Sequence, residues 1–213
     1  MKAPHIVLIH ALKESQVPIW DAFAAQWPEA RTTNLLDDSL SEDLAAEGEL
    51  TAEMMGRFLT LGRYAARNGA DAILFTCSAF GLAIAAVKQD LKIPVLTPNE
   101  AAFEEAVSYG SHIGLLVTFP PSLGTLQAEL ESAQPDVRAD ARLVDGALTA
   151  LQAGDAVTHD RLIGAAVADM KNCDAVVLGQ FSMARAARGH AGAPPLLTTP
   201  GSAVTKLRRL LAA

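Results

Sequence analysis

The sequence predicts an α/β chain built as two pseudo-symmetric three-layer α/β/α halves, with mostly parallel sheets facing a central cleft. Three observations predict it. Short aliphatic runs alternate with Ala/Leu-rich stretches of helical spacing, the pattern of a parallel sheet covered on both faces. Segments of the first part of the chain recur in the second in the same order. Half of the 213 residues are apolar, yet only 5% are aromatic and 19% charged. That balance suits closely packed helices, and it excludes both a disordered chain and an aromatic-rich β-sandwich.

In chain order, strands are expected over 5–10, 32–36, 72–76, 94–96, 112–117, 137–144, 175–178 and 195–198, each a short aliphatic or β-branched run. Helices are expected over 19–27, 51–68, 80–91, 100–109, 123–131, 159–171 and 202–211. The helix over 51–68 is the clearest: Thr51 can cap it, Met54, Phe58, Leu61 and Ala65 form one stripe, and Gly69 stops it.

The internal echo is threefold. Asp71-Ala72-Ile73-Leu74-Phe75-Thr76-Cys77-Ser78 resembles Asp174-Ala175-Val176-Val177-Leu178-Gly179-Gln180-Phe181, each an Asp-Ala opening, a buried strand and a turn leading into an Ala-rich helix. Ile6-Val7-Leu8-Ile9 followed by Ser15 echoes Ile113-Gly114-Leu115-Leu116 followed by Ser122. Ile93-Pro94-Val95-Leu96-Thr97-Pro98 echoes the stretch from Ala193 to Pro200. The expected division is a first half over 1–97, joined by the C-terminal helix over 200–213, and a second half over 98–199. Ligands of open α/β sheets bind beyond the carboxyl ends of the strands, so a facing duplication gathers residues 10–15, 77–80, 118–122 and 180–183 around one cleft.

The 17 basic and 24 acidic residues leave a net charge of −7, and no basic stretch tracks a phosphate backbone, so nucleic acid is not an expected partner. No apolar run approaches the ~20 residues of a membrane span, and the Met-Lys-Ala-Pro-His opening has no apolar leader, which reads as a cytoplasmic protein. A homodimer is the commonest closed assembly for such a chain. Cys77 and Cys173 make neither a disulfide framework nor a metal quartet. There is no Gly-rich phosphate loop, no dinucleotide fingerprint, no Gly-x-Ser-x-Gly elbow and no zinc-type spacing. No cofactor and no metal are therefore expected. The pair Asp37-Asp38 reads as solvated surface.

Cys77 leads the chemistry-bearing residues. At a strand-to-helix turn, backbone N–H groups and a helix start favour a thiolate or a bound carboxylate. An isolated cysteine is more often buried and inert, but its place at the cleft mouth favours function. Cys173, before a strand and away from that mouth, reads as structural. Ser78, Ala79, Thr118, Ser122 and Ser182 bring hydroxyls and turn N–H groups to the same cleft, where together they can hold carboxylate oxygens; each hydroxyl alone can equally be a helix cap. His10 and Ser15 end and follow the first strand and are expected, with Gln180, among the substrate-binding residues; His10 suits either an acid/base group or a hydrogen-bonded structural histidine. His190 belongs to a loop.

These segments resemble the aspartate/glutamate/hydantoin racemase superfamily, which also includes arylmalonate decarboxylase and maleate isomerase. The resemblance rests on the run from Gly69 to Ala79, on Ile113-Gly114-Leu115-Leu116-Val117-Thr118, on the run from Asp174 to Gly179, and on the closing run from Leu197 to Val204. It implies cofactor-independent chemistry at the carbon α to the carboxylate of a small substrate. In that chemistry two cysteines on opposite faces remove and return a proton. Cys77 matches the first; the second is matched by Gln180, whose carboxamide donates hydrogen bonds but exchanges no proton at neutral pH. The resemblance therefore implies a racemase/isomerase-type enzyme with Cys77 as proton-transfer or nucleophilic residue. A single-cysteine decarboxylase is the alternative, although arylmalonate decarboxylase carries its thiol in the other half. A non-catalytic carboxylate-binding protein on the same scaffold is the third reading.

Overall fold

The computed structural model describes residues 3–133 and 136–212; Met1 and Lys2, with which the chain opens, lie outside them. Among the described residues, eight strands form two parallel four-stranded sheets. The first contains β1 (His5–His10), β2 (Arg31–Leu36), β3 (Ala72–Phe75) and β4 (Val95–Leu96), in the order β2-β1-β3-β4. The second contains β5 (His112–Val117), β6 (Arg138–Leu143), β7 (Ala175–Leu178) and β8 (Leu196–Thr198), in the matching order β6-β5-β7-β8. The expected two-halves α/β architecture is what the chain forms, and the strand positions agree with the sequence reading to within one or two residues at each end.

Nine α-helices among the described residues cover the sheets: α1 (Gln16–Gln26), α2 (Ser39–Glu47), α3 (Ala52–Arg67), α4 (Gly81–Asp90), α5 (Glu100–Ala106), α6 (Ser122–Ala133), α7 (Ala147–Gln152), α8 (Ala156–Ala168) and α9 (Thr199–Ala212). Because successive residues of a strand face opposite sides, each central strand feeds two cores. Val7, Ile9, Ile73 and Phe75 pack under α3 and α4, whereas Ile6, Leu8 and Leu74 pack under α1 and α9. In the second sheet, Ile113, Leu115 and Val177 meet α5 and α6, while Leu116, Val176 and Leu178 meet α8. Helix α9 thus inserts Ala203, Val204 and Leu207 into the core of the first sheet.

The repeated Asp-Ala openings have a physical role. The Asp71 carboxylate accepts from the backbone N–H of His5 at 2.7 Å, and the Asp174 carboxylate from that of His112 at 2.8 Å. Each Asp N–H returns a bond to the carbonyl of the same histidine at 2.7 Å. The first N–H of each leading strand, which has no earlier strand residue to pair with, is satisfied in the same way in both halves.

Two helices escape the sequence reading. Helix α2 buries only Leu40, Ser41 and Leu44, too thin a stripe to stand out, and it starts directly after Asp37-Asp38. That pair is not simply solvated: Asp37 is in an ion pair with Arg57, and Asp38 with Lys13. Helix α7 is six residues long and buries only Ala147. The stretch after Gln180, expected as an Ala-rich helix, forms a 3-10 helix over Phe181–Ala187. Helix α8 begins upstream of its expected start because the Asp155 side chain caps it, accepting from the N–H of Thr158.

Phe181 links the two sheets. It follows a strand of the second sheet, yet it is 1% exposed among Ile6, Leu8, Ile19 and Leu74 of the first. Phe181→Ala should lower the unfolding free energy by about 3–5 kcal/mol, the usual cost of emptying a buried phenylalanine site. Urea denaturation of wild type and variant measures it, and a loss below about 1 kcal/mol would show that the site collapses or was never filled.

Candidate functional site

The register places Cys77 and Gln180 at equivalent points of the two sheets. Ile9 pairs with Phe75 and Leu116 with Leu178; the N–H of Thr76 then bonds Ile9 at 3.0 Å, and that of Gly179 bonds Leu116 at 2.8 Å. One residue further stand Cys77 (φ −117, ψ 121) and Gln180 (φ −137, ψ 143), each opening a 3-10 helix.

The four strand-end loops form a closed ring of contacts. In the first half His10 and Ser15 bond Thr76. Between the halves, the Ser78 and Ser122 hydroxyls lie 3.4 Å apart. Within the second half Thr118 bonds Gln180, and the ring closes where the Lys13–Ser15 turn meets the Phe181–Ala187 segment. Ser78, Thr118, Ser122 and Ser182 are all buried, and Ala79 is half-buried beside them. The loops are thus gathered where the strand ends place them.

Cys77 is held by aromatic packing on both sides. Phe58 of α3 stacks on Phe75, on the amino-terminal side of Cys77, at 5.3 Å and tilts against Phe80, on its carboxyl-terminal side, at 4.9 Å between centroids. Cys77 is 8% exposed. Burial pushes its pKa up to about 11, against the smaller opposing effects of the Ala79 N–H and the Ser41 hydroxyl. This corrects the expectation of a thiolate: Cys77 leads into a short 3-10 turn rather than an α-helix start, and the donors of that turn do not offset desolvation. Ser41 also donates to the Ala11 carbonyl at 2.9 Å. A hydroxyl has one proton, so Ser41 can donate to a Cys77 thiolate only by turning that proton away from the Ala11 carbonyl.

Gln180 is fixed just as firmly. Its Oε1 accepts from the Thr118 N–H at 2.5 Å, the Thr118 hydroxyl at 2.8 Å and the Phe119 N–H at 3.2 Å. Three donors converging on one atom settle which end of the amide is oxygen. Nε2 is left with two N–H donors and no hydrogen-bond acceptor among the described residues.

His10 has both ring nitrogens occupied. Asn34 Oδ1 accepts from its Nε2 at 2.9 Å and also from Trp20 Nε1, so the proton belongs on Nε2, and Nδ1 accepts from the Thr76 hydroxyl at 2.8 Å. Burial lowers its pKa, partly offset by Asn34, and the ring is neutral at pH 7. Of the two readings of His10, this geometry is that of a structural histidine bracing Thr76 one residue before Cys77. His190 lies in a loop, its ring against the Pro194 carbonyl.

Two cavities open at the ring. One, of about 450 Å³, is lined by Leu12, Lys13, Ser41 and Phe119 among others and reaches the Ser41 partner of Cys77. The other, of about 520 Å³, has Glu14, Ser182, Arg185 and Thr198 in its wall. Both are of a size for small ligands. Ser41 is invisible to the sequence reading because it sits on the unforeseen α2; Phe119 lies in the expected 118–122 loop, but it acts through its backbone N–H, which no residue type announces.

A family model described as Asp/Glu/Hydantoin racemase matches residues 22–207. The chain belongs to that family. Solved structures with the same fold include allantoin racemase from Klebsiella pneumoniae (19% identity, TM-score 0.77, covering 99% of this chain and 88% of that one). An aspartate racemase homologue from Pyrococcus horikoshii OT3 matches at 13% identity and TM-score 0.75, covering all of both chains. A mutant of arylmalonate decarboxylase in a sulfate-associated form matches at 16% identity and TM-score 0.66, over 99% of this chain and 94% of that one. No curated protein matches the chain. Among the described residues no helix is long and apolar enough to cross a membrane.

The thiol state gives a direct test. An acid whose pKa is raised stays neutral to higher pH, so iodoacetamide labelling of Cys77 should keep rising from pH 9 toward 11. An unperturbed thiol, half ionised at about pH 8.5, is largely ionised by pH 9 and levels off by about pH 10. Peptide mass spectrometry over that range measures it, and labelling that is level from about pH 10 would refute a neutral, desolvated Cys77.

Proposed function

We propose that this chain is a cofactor-independent enzyme of racemase/isomerase type that moves a proton at the carbon α to the carboxylate of a small substrate, with Cys77 as proton carrier. The observation that carries the reading is the pairing of a neutral buried thiol with a fixed carboxamide at equivalent strand ends of one ring of loops. An α-proton beside a carboxylate is very weakly acidic, so the enediolate needs preorganised donors in a site shielded from water. The Gln180 N–H groups and the Ser78 and Ser122 hydroxyls are the proposed donors. The bonds of Gln180 to Thr118 and Phe119 keep its amide from turning as charge develops.

Cys77, protonated at rest, must first ionise to take the α-proton, and the thiol so formed then returns a proton to one face of the planar enediolate. The Ser41 hydroxyl, turned from the Ala11 carbonyl, stabilises that thiolate. Ser15 braces the Thr76–His10 pair and so holds the backbone before Cys77, and Ser182 faces the adjoining cavity as a further carboxylate donor. Thr118 acts through Gln180.

A second reading is favoured by a specific observation. Gln180 cannot exchange a proton, and His10 has no free ring nitrogen, so the second face lacks a proton carrier among the residues singled out. Decarboxylation of a malonate-type acid needs one proton delivered to one face after CO2 leaves, and a thiol protonated at neutral pH suits that step.

Incubation in D2O with amino acids, hydantoins and 2-substituted malonates separates the readings. Deuterium at the α-carbon without CO2 supports the isomerase type, and CO2 release with one deuterium supports the decarboxylase. Cys77→Ser should fold normally and lose about 10²–10⁴-fold in turnover, the usual worth of a positioned acid or base. Gln180→Cys should introduce or raise racemisation. Near-normal turnover of Cys77→Ser would remove Cys77 from the mechanism. Binding of a panel member without exchange, isomerisation or CO2 release would make the chain a carboxylate-binding protein.

A further inference from the structure

The opposite, amino-terminal end of the second sheet holds a separate cluster. His112 opens β5, Asp140 lies on β6 and Cys173 directly precedes the Asp174 that leads into β7. One ligand-type atom from each lies within 4.8 Å of the others, with His112 Nε2 3.9 Å from Cys173 Sγ. We infer that this cluster is a binding site for a thiophilic divalent cation of the zinc type, with three protein ligands and a fourth position for water.

The pleat brings His112 and Asp140 to one face, and the loop before β7 brings Cys173 onto it. Gly114 pairs with Asp140 and lies two residues from His112, so His112 and Asp140 share a side of the sheet. A Cβ on Gly114 would come within 2.7 Å of Met170 Sδ and 3.3 Å of Cys173 Sγ; the glycine makes room for the sulfur. The sulfur–nitrogen separation needs to close only slightly. Zn–S near 2.3 Å and Zn–N near 2.0 Å at a tetrahedral angle place the two ligand atoms about 3.5 Å apart.

The histidine is already in the ligating tautomer. Its Nδ1 donates to the Asn172 carbonyl at 3.1 Å, leaving the Nε2 lone pair on the side of Cys173. Metal-bound histidines characteristically donate their other ring N–H in this way. Arg142 grips both oxygens of Asp140, at 2.9 and 2.6 Å. A carboxylate oxygen has a second lone pair, so Asp140 can ligate through one oxygen while Arg142 holds its orientation.

The first half supplies an internal reference. His5 occupies the place of His112, and its Nδ1 meets the Gly69 carbonyl at 3.0 Å, as that of His112 meets Asn172. Its Nε2, however, has a close partner in the Thr33 hydroxyl at 2.8 Å. Thr33 stands where Asp140 does, and Ala70 where Cys173 does. The same histidine scaffold is thus satisfied by a hydroxyl in one half. In the other it faces a carboxylate and a thiol, with only a long contact to sulfur. The three ligands come from separate strand starts, which is why no zinc-type spacing is visible in the sequence.

The test uses the whole chain with Zn²⁺ or Co²⁺ as the only additions. One Zn²⁺ per chain should be retained against dialysis, and Co²⁺ should give a near-ultraviolet thiolate charge-transfer band. Cys173→Ala should abolish that band, and His112→Ala should weaken Zn²⁺ binding at least tenfold. Should a variant fail to fold by circular dichroism, the wild-type chain decides: Zn²⁺ should slow alkylation of Cys173 at least tenfold and leave Cys77 unaffected. Absence of the charge-transfer band, or equal alkylation of Cys173 with and without Zn²⁺, would overturn the site. So would metal retention unchanged by Cys173→Ala in a folded variant.

Discussion

The backbone N–H groups of Thr118 and Phe119 lie just beyond the last residue of β5, past the reach of the β-ladder, and they find their acceptor in one atom, Gln180 Oε1. Buried amide groups must be paired, so this contact ties the end of β7 to the end of β5. It also sets the path of the next residue, Phe181, which enters the hydrophobic core of the other sheet. The closed ring of loops, the fixed amide and the docking of one sheet against the other all depend on that acceptor being a side chain rather than water.

The two sheets share a backbone plan and differ in what hangs from it. Asp71 and Asp174 close the same strand starts, and Cys77 and Gln180 open equivalent turns. Thr76, one residue before Cys77, has a hydroxyl that braces His10. Its counterpart Gly179 has none, and a Cβ there would come within 3.0–3.1 Å of Leu115, Leu116 and Leu126. One turn is held by polar bonds around a thiol, the other by close apolar packing beneath an amide.

Much of this was legible in the sequence because the buried strands are short aliphatic runs and the Asp-Ala openings repeat. Strand ends in turn locate the loops, so the surroundings of Cys77 and Gln180 came from the element order. What was not legible is side-chain direction and thin helices. Leu40 and Leu44 alone do not announce α2, and with it Ser41 was lost. The expectation for Cys77 weighs nearby donors but not desolvation, which comes from its place in the core cluster that contains Phe58, Phe75 and Phe80. Asn34 as the partner of His10 depends on the register of β2, an edge strand with little apolar pattern.

The position of α9 bears on the order in which the chain becomes a protein. Ala203, Val204 and Leu207 cover a sheet whose own strands end at Leu96. During synthesis at roughly 5–20 residues per second, that sheet waits several seconds or more with one face of Ile6, Leu8 and Leu74 incompletely covered. The second sheet, whose strands and covering helices are contiguous in sequence from α5 to β8, has no such wait. Ribosome-bound chains lacking α9 would therefore expose apolar surface on the earlier-made sheet. The part synthesised first is the part completed last.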